Sequence, residues 1–440
     1  MKILIVSVFF PPYNTIASYR AYSWAKWWSK QGHHVTVITP PKKLRPQNTP
    51  MSFEGFHVIE LPAPGLAFIW RFWSGNDGLN HHYRTENSSF IKKTLSGLRH
   101  LINKFRERYG CFYASRMPDY WDIWAWSATR WATKQSWDAV VTTGGPYSVH
   151  WVGLNLKKKQ LTPVWAMDWR DLWTHNHIFP GLPLIRNIER YLENRFHSTA
   201  DIITTVSEPL ASTLRELTDT SVHTILNGYD PDDLNALDPT PIFPSDNIRR
   251  IVYTGSIYAG KQDPLPLFLA IKGLDQRGIL SSDQLQIIFA GSNCDLSESA
   301  LSLGVEDYCH YMGFVSRPDA LRMQRDADIL LFMEFESPEV KGILTGKLFE
   351  YIAAAPPIWA IGSEAGAGKI IKDHDKGQVF GKNIEKIQDA LLSLLNSPFQ
   401  KKSDAKKTKI ANEFSRETQA YNYLELLEQI KKNNSHNNNF

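Results

Sequence analysis

Short apolar runs alternate with amphipathic helical segments twice along this chain of 440 residues, and that repeated alternation is what most restricts its fold. The runs that we predict to be strands in the first half are 2–9, 35–39, 57–61, 139–142, 164–167, 202–205 and 223–226. Those of the second half are 250–255, 285–290, 308–312, 329–332 and 358–361. Strands separated by helices pair in parallel, because the helix returns the chain to the same end of the sheet. The pattern therefore predicts the α/β class, with two doubly wound parallel sheets.

The chain is longer than one hydrophobic core usually supports, so we divide it into two domains. Residues 232–249, which contain Pro239, Pro241 and Pro244, separate the two alternations and are predicted to be a linker. This division gives an N-terminal domain of 1–231 and a C-terminal domain of 250–413. A helix is predicted over 414–432, and the polar residues 433–440 are predicted to be disordered.

The composition is typical of a soluble globular protein, since 42% of the residues are hydrophobic and 21% are charged. The three cysteines match no disulfide or metal-ligand spacing, which favours a reducing cytoplasm. No run approaches the roughly 20 apolar residues that span a bilayer. The apolar N-terminus ends at Pro11-Pro12 without a signal-peptide cleavage site, so it is predicted to be a strand. Any membrane attachment is therefore expected to be peripheral, and a net charge of +4 gives no indication of nucleic-acid binding.

Basic residues are concentrated in one part of the first half. Between Ser88 and Arg116 there are seven basic residues and one acidic residue, and the apolar residues recur every three or four positions. An aromatic segment, 66–73, lies just before this basic amphipathic helix. The combination predicts that residues 66–116 contact an anionic membrane surface. The alternative is that the aromatic side chains pack inside the domain and that the basic side chains are only solvated.

The segment from Thr345 to Gly362 carries the strongest indication of function. Thr345 is placed to cap a helix that begins near Gly346, and the free N–H groups and partial positive charge at such an end favour a diphosphate, with Lys347 beside it. Glu350 lies one turn further on the same face, where its carboxylate can accept hydrogen bonds from two ribose hydroxyls. The alternative is an ordinary amphipathic helix with a surface Lys/Glu pair.

The residues from Lys347 to Ile358 resemble the donor-site motif of retaining GT-B glycosyltransferases, in particular those of glycosyltransferase family 4. The resemblance implies two Rossmann-like domains facing a cleft, with the last helix packed back on the first domain. It also implies that Glu350 holds the ribose of a nucleoside-diphosphate-sugar donor, with a UDP-sugar favoured and with neither a metal nor a cofactor. A second glutamate of the family motif, eight residues upstream, is replaced here by Gly342, which leaves the identity of the sugar open.

The loop after the first strand of the C-terminal domain is predicted to complete the donor site. Family members usually present an arginine and a lysine five residues apart in this loop, where they neutralise the departing diphosphate. Lys261 matches the lysine, whereas Ser256 occupies the place of the arginine, so Lys347 and Arg317 are candidates for the missing charge. For Lys261 alone, a solvated loop lysine is the alternative. The predicted nucleotide-sugar residues are Gly255, Ser256, Lys261, Arg317, Thr345, Gly346, Lys347, Leu348 and Glu350.

In the N-terminal domain, charges and tryptophans follow the strand 164–167. Many family members carry His-Asp at this point, in contact with the transferred sugar. Arg170-Asp171 resembles a variant of that pair associated with bacterial polysaccharide-assembling members, and a structural salt bridge is the alternative. The predicted catalytic residues are Arg170, Asp171, Lys261 and Glu350. The predicted acceptor-side residues are Asn14, Ser18, Arg20, His150 and Trp173, with a surface arginine as the alternative for Arg20 and a packed histidine for His150.

The resemblance implies a cytoplasmic retaining glycosyltransferase of cell-surface polysaccharide biosynthesis, peripheral on the inner face of the membrane. It would move a sugar to a hydroxyl of a glycan or lipid-linked acceptor. No Gly-x-Gly-x-x-Gly follows the first strand, which argues against an NAD enzyme. Two alternatives remain open: a nucleotide-sugar epimerase of the same fold, and a non-catalytic nucleotide-binding subunit, which Gly342 and Ser256 suggest.

Overall fold

The computed structural model describes residues 1–13, 15–41, 52–62, 103–104, 106–112, 114–176, 179–257, 260, 262–291, 296–334, 346–362, 366–398 and 412–437. The chain forms two compact units. One is Met1–Leu226 with Ala420–Phe440, and the other is Asn227–Gln419. We call them the N-terminal and C-terminal domains.

The N-terminal domain is built on a parallel sheet that has seven strands in its described part. These are β1 Lys2–Val6, β2 His34–Thr39, β3 His57–Glu60, β4 Ala139–Thr143, β5 Val164–Trp169, β6 Ile202–Thr205 and β7 Val222–Thr224. The described helices are α1 Ile16–Lys30, α2 Trp121–Ala132, α3 His150–Lys158, α4 Arg186–His197 and α5 Glu208–Leu217. The strand order is β3-β2-β1-β4-β5-β6-β7, so the order reverses between β1 and β4. Ligands of doubly wound sheets bind outside the carboxyl ends of the strands at such a reversal.

Both faces of this sheet are buried, because alternate residues of each strand point to opposite sides. Ile3 and Ile5 pack in a cluster with α1 and the C-terminal helix, whereas Leu4 and Val6 pack with α2 and α3. A parallel sheet covered on both sides accounts for the nearly continuous apolar runs in the sequence.

The C-terminal domain contains a second parallel sheet, with six strands in the described residues. They are β8 Arg249–Thr254, β9 Leu285–Ala290, β10 Cys309–Gly313, β11 Ile329–Met333, β12 Ile358–Ile361 and β13 Gly377–Gly381. The helices are α6 Pro231–Asn235, α7 Leu265–Asp275, α8 Leu296–Leu303, α9 Arg317–Asp326, α10 Gly346–Ala353, α11 Ala367–Asp373 and α12 Ile384–Asn396. The order β10-β9-β8-β11-β12-β13 reverses between β8 and β11. The predicted class, two doubly wound parallel α/β domains, is confirmed.

Two segments differ from the expectation of a free linker and a disordered tail. Residues 232–249 belong to the C-terminal domain, where the backbone N–H of Ile242 donates to Asp326 at 2.8 Å. The last helix, α13, spans Arg416–Asn437 and so continues well beyond residue 432. The amide of Asn434 explains the extension, because it donates to Pro163 O at 2.8 Å and to Asp201 at 2.9 Å.

The stretch predicted to contact a membrane, 66–116, lies mostly outside the described residues, so its membrane contact stays a prediction. Within the described part of the chain, no helix combines the length and the apolar character that a bilayer crossing requires.

Candidate functional site

The first strand of the C-terminal sheet, β8, ends beside the start of α10, next to the reversal of strand order. Gly255 follows β8 with a φ of +108°, and a Cβ atom there would lie 2.4 Å from Cε of Lys347. Glycine is therefore required on two counts, the positive φ and the close approach of the lysine. Gly255 and Lys347, which are distant in sequence, therefore lie against each other in the structure.

Lys347 is held by the end of β8. Its Nζ donates to the hydroxyl of Tyr253 at 2.5 Å and to Ser256 O at 3.2 Å, and it lies 4.2 Å from the centre of the Tyr253 ring. Burial lowers the pKa of Lys347 to about 8, and the nearby carboxylate of Glu350 opposes that shift. A desolvated ammonium group at a helix start is well suited to bind an anion.

Glu350 is oriented by two neighbours on α9. Arg317 donates from Nη1 to Oε1 at 2.9 Å, and the buried Gln324 donates from Nε2 to Oε2 at 3.4 Å. Gln324 is held in turn by the hydroxyl of Thr254, at 2.8 Å. Tyr351, the residue after Glu350, is anchored because its hydroxyl accepts the backbone N–H of Thr254 at 3.0 Å. The carboxylate therefore has a defined position at the carboxyl edge of the sheet.

Arg317 has a different environment from the one expected for a phosphate ligand. Its Nε and Nη2 both donate to Asp233 Oδ2, at 3.1 and 2.7 Å, in addition to the contact with Glu350. Two carboxylates balance its charge, so Arg317 orients Glu350 in this state rather than offering a free cation to a diphosphate. The side chain of Leu348 is fully buried and packs in the core.

Three predicted site residues, Asn14, Lys261 and Thr345, lie outside the described residues, as does Gly342. Their roles stay predictions. Among the described residues, no group of three or more His, Cys, Asp or Glu side chains is placed to hold a metal ion.

In the N-terminal domain, Arg170 ties the end of β5 to the turn after β4. Its Nε donates to Gly144 O at 2.7 Å and its Nη2 to Gly145 O at 2.5 Å. Burial lowers the pKa of Arg170 to about 10, against the raising influence of Asp168 and Asp171. Nη1 is also buried and makes no hydrogen bond within the described chain. Asp171 is exposed and forms no ion pair with Arg170. Asp168 of the same charged segment does pair with Arg20 of α1, at 2.7 Å, so a structural salt bridge of the kind considered as the alternative is present.

Arg20 is neither a surface residue nor free to bind an acceptor, which corrects both expectations. It is only 2% exposed, and its guanidinium donates to both oxygens of Asp168, at 3.1 and 2.7 Å. A third contact runs from Nη1 to Ile225 O at 2.6 Å. Asp168 also accepts from the hydroxyls of Thr143 and Thr204, each at 2.8 Å. This buried network joins α1 to the centre of the sheet.

The other described acceptor-side candidates are also packed side chains. His150 is fully buried, with Nδ1 2.8 Å from the hydroxyl of Thr142, and burial lowers its pKa well below the usual range. Trp173 stacks on Tyr147, with ring centres 4.5 Å apart, and Ser18 is buried in the first turn of α1. The packed histidine considered as the alternative is thus what the structure shows for His150, because polar and aromatic residues near a strand end also serve as ordinary core contacts.

Sequence reasoning missed Asp168, Asp233 and Gln324. An acid within an otherwise apolar strand was a detectable signal for Asp168, because a buried carboxylate needs a partner. Asp233 lies in the segment predicted to be a linker, and Gln324 carries no local signal. All three act on residues that are far away in sequence.

No protein-family model matches the chain, and no curated protein sequence matches it. Solved structures match over nearly its whole length. A glycosyltransferase from Rickettsia africae ESF-5 gives a TM-score of 0.60 at 15% identity, over 98% of this chain and 99% of that one. The catalytic domain of starch synthase IV from Arabidopsis thaliana, bound to ADP and acarbose, gives a TM-score of 0.60 at 12% identity, over 98% of this chain and 99% of that one. Sucrose-phosphate synthase from Thermosynechococcus elongatus gives a TM-score of 0.58 at 14% identity, over 97% of this chain and 98% of that one.

These similarities concern the fold. The chain has the GT-B fold of two Rossmann-like domains, as predicted, and the solved structures that share it include glycosyltransferases. At 12–15% identity they do not carry over a substrate or a mechanism.

Proposed function

We propose that this protein is a retaining glycosyltransferase of the family 4 type, which uses a nucleoside-diphosphate-sugar, with a UDP-sugar favoured. The observation that carries the proposal is the arrangement of Lys347 and Glu350 on one face of α10, at the reversal of the C-terminal sheet. The ammonium group is suited to the diphosphate, and the oriented carboxylate is suited to the ribose hydroxyls. The starch synthase of the same fold is bound to ADP, which is consistent with a nucleotide site in such a domain.

In the proposed reaction, the bond from the anomeric carbon to the diphosphate breaks and a bond to the acceptor hydroxyl forms on the same face of the sugar. The acceptor proton passes to an oxygen of the departing diphosphate, so no enzymic nucleophile is needed. Lys347, Lys261 and the start of α10 stabilise the charge that develops on that diphosphate. We propose that Arg170 and Asp171 face the transferred sugar, with the unsatisfied Nη1 of Arg170 available to a ligand oxygen.

The acceptor of the proposed reaction is a hydroxyl of a glycan or a lipid-linked sugar, within cell-surface polysaccharide biosynthesis on the cytoplasmic side of a membrane. A thermal-shift screen against nucleoside diphosphates and their sugars tests the donor half, because a ligand that binds the native state raises Tm with its affinity. We expect a UDP-sugar to raise Tm, and a screen in which no nucleotide raises Tm would contradict the proposal. An isomerised sugar formed without acceptor would assign the site to an epimerase instead.

The pKa of Lys347 gives a second prediction. Free Lys347 titrates at about pH 8, and a bound diphosphate favours its charged form. Binding above pH 8 must therefore take up a proton, so the donor Kd should be constant below that pH and rise by about tenfold per pH unit above it. Calorimetric titration of a UDP-sugar between pH 7 and 10 measures this profile.

The Lys347→Met variant should bind the donor more weakly, and its profile should be flat over the same pH range. Lys386→Met is the matched control, because Lys386 is exposed on α12 of the same domain, and it should keep the wild-type profile. A wild-type Kd that stays constant up to pH 10 would remove Lys347 from the diphosphate site.

A further inference from the structure

Helix α4 of the N-terminal domain presents an apolar stripe to solvent. Leu184, just before the helix, is 94% exposed, and Ile188 and Tyr191 are 53% and 63% exposed. Spacings of four and three residues place the three side chains along one side of a helix. Single exposed apolar residues are common, whereas a contiguous stripe of large ones indicates an interaction surface.

The acids of this helix point the other way. Glu189 is fully buried, where it pairs with Arg116 at 2.7 Å and accepts the N–H of Met117 at 2.8 Å. Glu193 is also buried and accepts the backbone N–H of Thr174 at 3.3 Å. An ordinary surface helix turns its charged residues of both signs toward water. Here both acids fix the helix to the domain and contribute no negative charge to the outer face.

The charged side chains of α4 that stay at least partly exposed are all positive. They belong to Arg190, which is exposed, and to Arg186 and Arg195, which are partly exposed. None of the three forms an ion pair with a described carboxylate. Of the three acids between residues 170 and 198, only Asp171 is exposed, and it precedes the helix by fifteen residues in sequence.

We propose that this outer face, formed by Leu184, Ile188, Tyr191, Arg186, Arg190 and Arg195, docks onto an anionic lipid bilayer. Large apolar side chains enter the headgroup boundary while flanking arginines attract anionic lipids, which is the chemistry of a helix lying in a membrane interface. A second copy of the chain fits this face less well, because an isologous contact would bring the same arginines together. The surface belongs to the N-terminal domain and the proposed donor residues to the C-terminal domain, so the inference does not depend on the proposed reaction.

Co-sedimentation of the full-length protein with vesicles tests the proposal. We expect binding to vesicles of phosphatidylglycerol and phosphatidylcholine, and weak binding to phosphatidylcholine alone. Replacing Leu184, Ile188 and Tyr191 together by serine should weaken binding to the anionic vesicles at least tenfold. Replacing Arg186, Arg190 and Arg195 by glutamine should have a comparable effect and should reduce the dependence of binding on salt.

The matched control is Leu301→Ser, which removes a side chain that is 65% exposed on α8 of the other domain, and it should bind as the wild type does. Unchanged Tm values show that each variant is folded. Anionic-vesicle binding that survives the triple serine change would overturn the proposal and would leave residues 66–116 as the membrane contact. A dimer that the triple change dissociates, without vesicle binding by the wild type, would overturn it in favour of self-association.

Discussion

Replacing Glu350 by alanine should raise the KM for the nucleotide-sugar about a hundredfold or more. The carboxylate is proposed to accept hydrogen bonds from two ribose hydroxyls. Each hydrogen bond to a charged acceptor contributes about 1.5–3 kcal/mol to the free energy of binding. Since about 1.4 kcal/mol corresponds to a factor of ten in affinity, losing both gives roughly two orders of magnitude at the lower end. Glu350→Gln keeps one acceptor oxygen in place, so its effect should be smaller than that of alanine.

The measurement is donor binding by calorimetry, together with initial rates at varied donor concentration. Glu298→Ala is the matched control, because Glu298 is exposed on α8 of the same domain, and it should leave both quantities unchanged. Arg317 retains Asp233 as a partner in the Glu350 variants, so Tm should fall little. A variant that binds the donor as tightly as the wild type would remove Glu350 from the ribose site and would sink the assignment.

The secondary structure could be predicted wherever an apolar run and a strand coincide. The strands 202–205, 285–290 and 358–361 are found with the predicted bounds. The first strand was predicted to reach Phe9 but ends at Val6, although Val8 and Phe10 are both buried. A buried loop and a buried strand have the same apolar composition, so the sequence pattern does not separate them.

The donor site could be predicted only where it depends on local helical geometry. Lys347 and Glu350 share a helix face because they are three residues apart, and helical geometry alone requires this. The partners that orient them are set by tertiary packing: Arg317 is 33 residues from Glu350 and 84 from Asp233. The acceptor-side prediction was weaker because nothing local distinguishes a ligand-binding Arg20 from one that pairs with a carboxylate 148 residues away.

Replacing Asp168 by asparagine should lower the free energy of unfolding of the N-terminal domain by about 3–5 kcal/mol. Removing one partner of a buried ion pair leaves the other charge without compensation in a medium that solvates it poorly, and this is the cost usually associated with that change. Arg20 would keep Ile225 O as an acceptor but would lose the carboxylate that balances its charge. Asparagine has nearly the same volume, so the loss comes from charge and hydrogen bonding and not from a cavity.

Urea unfolding followed by tryptophan fluorescence measures the free energy of unfolding of this domain selectively. Of the 15 tryptophans, all but Trp359 lie in the sequence range of the N-terminal domain, so the signal reports on that unit even if the two domains unfold separately. Asp171→Asn is the matched control, since Asp171 is exposed three residues further along, and its effect should stay within about 0.5 kcal/mol.

A double-mutant cycle distinguishes the interaction energy between Arg20 and Asp168 from a general loss of packing. Arg20→Met should destabilise the domain because it leaves Asp168 buried with only the two threonine hydroxyls as described side-chain donors. If the two charges compensate each other, Arg20→Met with Asp168→Asn should be less destabilising than the sum of the single changes, by more than about 1 kcal/mol. Strict additivity would show that the charges act independently, and Asp168 would then be a hydrogen-bonded core residue rather than the counterion of Arg20. In that case, the apolar contacts around Ile3 and Ile5 would be what mainly holds α1 against the sheet.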